Sequence, residues 1–127
     1  MTFETKALLA TTAIFEIAAG IALLVVPVLL IPILLGAPLE GLAGLVVVRL
    51  LGSALVSFGV VCWFGRRDAP SHAVVGIIAG MLLYNFAAAV LLVSARFWLG
   101  MSAFVFLLAA LHAALAVWCI ACLRRPG

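Results

Sequence analysis

The sequence predicts an all-α fold, a membrane-embedded four-helix transmembrane bundle, on two observations. Apolar residues make up 69% of the 127 positions and charged residues only 9%, and helix-breaking punctuation cuts the apolar stretch into four pieces of about 20 residues, the length that spans a bilayer. A soluble domain carries about a quarter charged residues. Too few polar side chains exist here to cover a water-facing surface, so lipid must be the solvent.

A single transmembrane domain is expected over residues 1–127, with helices at about 5–26, 42–64, 72–93 and 98–123. The first ends where Pro27 and Pro32 remove backbone donors. Residues 28–35 are read as a bent extension or an interfacial helical turn, and Gly36, Pro38 and Gly41 mark the first loop. The apolar run from Ala7 to Leu35 is longer than a signal-peptide core of about 7 to 15 residues and carries Glu16, so an uncleaved first helix is expected. The second helix closes at Gly65-Arg66-Arg67-Asp68-Ala69-Pro70, the one charge-dense loop. Ser94-Ala95-Arg96 is read as the turn between the third helix and the fourth, which ends in Arg124-Arg125-Pro126-Gly127.

Four spans put the two termini and the second loop on one side. That side holds Lys6, Arg66, Arg67, Arg124 and Arg125, against Arg96 alone in the turn opposite, with Arg49 inside a helix. The positive-inside rule makes it cytoplasmic, in a cell inner (plasma) membrane. Trp63 and Trp118 fall near this face and Trp98 near the other, as an aromatic belt does. The formal charge of +3 is thus accounted for by topology, with no nucleic-acid partner.

Each predicted helix carries one strongly polar residue away from its ends: Glu16, Arg49, Asn85 and His112. At about 1.5 Å per residue they lie roughly 15, 22, 20 and 16 Å from their cytoplasmic helix ends, a middle layer of a core about 30 Å thick. Ionisable groups in hydrocarbon are costly and therefore pair. Glu16 and Arg49 are expected to form an intramembrane ion pair, the guanidinium covering a nominal depth difference of roughly 7 Å by snorkelling. Tyr84, Asn85 and His112 are the groups available to hydrogen-bond it. Two readings of the layer stand: an interhelical clamp that binds nothing, or a site for a ligand, ion or proton.

Small residues accompany the layer. Ala13, Glu16 and Gly20 share a face of the first helix; Arg49, Gly52, Ser53 and Gly59 lie along one side of the second; Gly76, Gly80 and Tyr84 recur every four residues in the third. Such residues let helices approach closely, within the bundle or in a homo-oligomer.

Cys119-x-x-Cys122, with Cys62 near the same face, raises a redox or metal site. Their odd number, their place near the reducing face and the lack of further ligands favour free, soft core side chains with no metal. The sequence contains no Gly-rich phosphate loop, no H-E-x-x-H, no Gly-x-Ser-x-Gly and no acid-base carboxylate pair. No catalytic residues are therefore assigned, and no cofactor is named.

Three resemblances bear on function. His112, with Trp118 six residues on and then Arg124-Arg125-Pro126, resembles the ending of bacterial light-harvesting polypeptides, which implies a pigment or haem ligand at His112. Glu16 early in the first of four short helices resembles the small multidrug resistance transporters, whose membrane carboxylate exchanges protons for cationic drugs. Against that likeness stand Arg49, the biased topology and the lack of that family's aromatic-rich binding helix. The whole pattern of Glu16 and Gly20, Pro27, Arg49-Leu50-Leu51-Gly52, Phe58-Gly59, Cys62-Trp63, Tyr84-Asn85 and His112 resembles that of small uncharacterised bacterial four-helix membrane proteins, which implies the fold and no activity.

The expected function is a small polytopic membrane protein with a polar midplane site of Glu16, Arg49, Tyr84, Asn85 and His112, binding or transporting a small polar or charged ligand or a proton. The alternative is an accessory or structural subunit of a larger membrane complex. Expected partners are the lipid bilayer and either a second copy or such a complex.

Overall fold

The computed structural model describes residues 2–124; the Arg125-Pro126-Gly127 ending counted above lies outside them. The chain is all helical: α1 (Phe3–Val25), α2 (Pro27–Leu35), α3 (Gly41–Gly65), α4 (His72–Leu99) and α5 (Phe104–Arg124). Four of these, all except α2, are long and apolar enough to cross a membrane. Large apolar side chains such as Leu42, Phe97 and Trp98 lie on the outside, more than 70% exposed. That is the surface of a small polytopic membrane protein, since a water-soluble monomer rarely shows apolar patches on this scale.

Local chemistry sets the boundaries. Thr2 caps α1 by accepting from the Thr5 backbone N–H at 3.2 Å, and Ser71 caps α4 by accepting from that of Val74 at 3.3 Å, each satisfying an orphan donor of the first turn. Val26, at φ −127° and ψ 43°, breaks the helical path. Pro27 then begins a separate helix, because proline suits a first turn, whose N–H groups have no helical partners. The segment after Pro27 is thus a helix in its own right. Gly36 ends it at φ 72°, with its N–H on the Pro32 carbonyl at 2.9 Å.

The turn between the third and fourth spans falls elsewhere than the sequence places it. α4 runs through Ser94-Ala95-Arg96 and stops at Leu99, where Gly100 takes φ 66°. Glycine adopts that left-handed conformation at no steric cost, whereas serine, alanine and arginine continue a helix. The Ser102 hydroxyl then accepts from the Phe104 N–H at 3.2 Å to start α5. The Ser102 N–H donates to the Leu35 carbonyl at 2.9 Å, tying the end of α2 to the start of α5.

The bundle consists of two antiparallel pairs, α1 on α3 and α4 on α5, which meet along a narrower front. Glycine brings the first pair together. A Cβ on Gly20 would lie 2.6 Å from the Gly52 carbonyl oxygen, one on Gly52 would lie 2.8 Å from that of Gly20, and one on Gly59 would lie 2.9 Å from that of Ala13. This backbone-on-backbone seam fixes the register of α1 on α3. The buried core, including Leu8, Leu9, Ala13, Cys62, Ile78, Met81, Leu115 and Cys119, fills the half of the bundle nearer the two chain ends. Its thiols are free and buried, and among the described residues no three His, Cys, Asp or Glu side chains are grouped to hold a metal.

Candidate functional site

Above that core lies a polar cluster drawn from both helix pairs. Glu16 of α1 is 4% exposed and Asn85 of α4 fully buried, while Tyr84 and His112 are half-buried. Measured from the end of the bundle that carries Phe3, His72 and Arg124, Glu16, Asn85 and His112 lie about 18 to 20 Å in, at about 1.5 Å per residue. These three residues thus share one depth along the bundle.

Its hydrogen bonds are directional. The Asn85 Nδ2 donates to the Met81 carbonyl one turn below, at 2.8 Å, which fixes the orientation of the amide. Its Oδ1 then accepts from His112 Nδ1 at 2.8 Å, so Nδ1 carries the proton and Nε2 is the ring's remaining polar atom. The Tyr84 ring stands edge-on to His112 at 5.6 Å between centroids and to Phe58 of α3 at 6.0 Å. Its hydroxyl end faces the Glu16 carboxyl closely enough for the two to interact electrostatically. Carboxyl, phenol, imidazole and amide thus form one cluster linking α1, α4 and α5. Such groups hold or relay a proton, or accept the donors of a cationic or polar ligand.

Arg49 does not join them. The expected ion pair with Glu16 is not formed, and no salt bridge occurs among the described residues. The register explains the miss: with Gly20 against Gly52, Arg49 lies about 10 Å along the bundle from Glu16. Its side chain is also exposed, on the outer face of α3. From there a long, flexible cation reaches headgroups more readily than a buried carboxyl.

One residue of the region was not singled out from the sequence. Thr12 lies one turn below Glu16 on the same face, is fully buried, and its hydroxyl has no hydrogen-bond partner. A buried hydroxyl left without a partner costs about 1 to 3 kcal/mol. Its position four residues before Glu16 was the only available signal, and uncharged threonine is unremarkable in a membrane helix.

No family model matches the chain, and no curated protein or solved structure matches it. What the site can do has to be read from its own geometry.

Proposed function

We propose that the chain binds a proton or a small cationic or polar ligand at the buried Glu16 carboxyl and carries it across the bilayer, with Tyr84, Asn85 and His112 shaping the site. One observation carries this reading: a carboxyl deep in the bundle with no basic side chain among the described residues paired to it. An ionisable group costs roughly 2.5 to 3.5 kcal/mol at the bilayer centre on insertion scales. A clamp would have matched it with Arg49; a site leaves it for what arrives. The orphan Thr12 hydroxyl supports the same reading.

The test uses proteoliposomes with a pH-sensitive dye inside, and equilibrium binding of tetraphenylphosphonium as the cationic probe. Glu16→Gln is expected to abolish whichever of proton flux or cation binding the wild type shows, and Arg49→Gln to preserve it. Equal activity of Glu16→Gln and wild type would sink the proposal.

The second reading, a subunit of a homo-oligomer or larger membrane complex, has its own observation. Gly76 and Gly80 are exposed on α4, and a Cβ on either would meet nothing within 4 Å. Their small-residue face is not used inside the bundle. Native mass spectrometry from mild detergent would reveal a partner held there, and Gly80→Leu would release it.

Inner-membrane residence with cytoplasmic termini belongs to the same proposal and rests on the positions of the basic residues. In a background without the native cysteines, Ser71→Cys should label with an impermeant reagent from the cytoplasmic side and Ala103→Cys from the other. Labelling of both from one side would overturn the orientation.

A further inference from the structure

A cleft of about 560 Å³ opens between the start of α1 and the end of α3, lined by Phe3, Lys6, Ala7, Ala10, Arg66 and Arg67. It lies outside the polar cluster, at the end of the bundle where α1 begins and α3 ends. We propose that this cleft is a binding site for an anionic phospholipid, whose phosphate sits among Lys6, Arg66 and Arg67 and whose chains follow Ala7 and Ala10.

Three features of the cleft carry this. The first is charge: three cations converge on one concavity, and among the described residues no salt bridge neutralises them. The second is preorganisation. The Arg66 guanidinium lies over the Trp63 ring, 3.3 Å from its centroid, and donates to the Trp63 carbonyl. It is therefore held in one orientation against an aromatic ring, and its remaining N–H groups suit a phosphate. The third is polarity along the cleft. Lys6, Ala7 and Ala10 succeed one another on α1, so cations at the mouth give way to small apolar side chains one turn deeper into the membrane. The two alanines leave the room that a larger residue would fill. A free phosphate matches only the mouth, whereas a lipid matches the whole gradient, and basic pockets between helices are a known form of headgroup recognition.

The experiment is native mass spectrometry of the protein released from nanodiscs holding equal phosphatidylglycerol and phosphatidylcholine. The wild type is expected to retain phosphatidylglycerol in preference. Lys6→Gln and Arg67→Gln should each lower that preference about fivefold, the effect of one cation near a membrane surface. Arg124→Gln removes a charge at the same end of the bundle but outside the cleft, and should leave the preference intact. Ala7→Leu keeps every charge and fills the floor, and should lower retention by itself; it also serves as the test if the charge variants fail to fold. Equal retention of the two lipids, an equal loss with Arg124→Gln, no effect of Ala7→Leu, or displacement of the lipid by millimolar inorganic phosphate would each overturn the proposal.

Discussion

The two helix pairs are held by different means. α1 and α3 meet backbone to backbone, with Gly20, Gly52 and Gly59 set against main-chain atoms of the partner helix. α4 and α5 meet through side chains, and the Asn85–His112 hydrogen bond is a polar contact between them. Membrane helices gain little from hydrophobicity against one another, so close van der Waals contact and interhelical hydrogen bonds are the two available sources of association. The first pair relies on one and the second adds the other. The first is rigid in register, because a carbonyl cannot rotate out of the way; the second can re-form around a changed side chain.

This contrast is broken most severely at the glycine seam. Gly52→Val should destabilise the fold by about 3 kcal/mol, the upper part of the range for overpacking, read as thermal unfolding in detergent. Gly80→Ala is the control, since its Cβ meets nothing, and should change stability by no more than about 0.5 kcal/mol. Similar losses in the two would mean that glycine matters here for something other than close approach.

A smaller effect is expected at the polar seam. Asn85→Ala removes the His112 contact and the Met81 bond together, and measured membrane hydrogen bonds average about 0.6 kcal/mol with a maximum near 1.7. A loss of about 1 kcal/mol, with α1 and α3 still in register by crosslinking, would fit. A loss as large as that of Gly52→Val would make the two seams equivalent.

The smallest effect concerns Glu16 and Arg49. Because they do not touch, Glu16→Gln and Arg49→Gln should be additive within about 0.5 kcal/mol in a double-mutant cycle. Coupling well above 1 kcal/mol would restore the ion pair that the sequence suggests.

That pair shows where sequence reasoning reached its limit. The four spans were legible because hydropathy is a property of composition within each segment. The polar residues within the spans were visible too, because ionisable residues in hydrocarbon are few. Which of them meet depends on register, and depth counted from predicted helix ends put Arg49 within reach of Glu16. The signal that fixes register was present in the spacing of Ala13 and Gly20 against Gly52 and Gly59, but a glycine in a membrane helix does not announce its partner. The turn misplaced at Ser94-Ala95-Arg96 has a similar cause. A charge suggests a helix end there, whereas Gly100, free to adopt positive φ, and Ser102, with a capping hydroxyl, carry the stop and start. Thr12 was invisible because its significance lies in a missing hydrogen bond.

The division into pairs also bears on biogenesis. α1 and α3 leave the ribosome before α4 and α5, and each seam joins spans that are consecutive in order of synthesis. Each hairpin can therefore complete its own packing as soon as its second span has entered the membrane, without waiting for the other. The cluster of Glu16 with Tyr84, Asn85 and His112 draws on both hairpins, so it comes into being only when they dock. Until then the Glu16 carboxyl has none of the polar neighbours that the second hairpin brings to it.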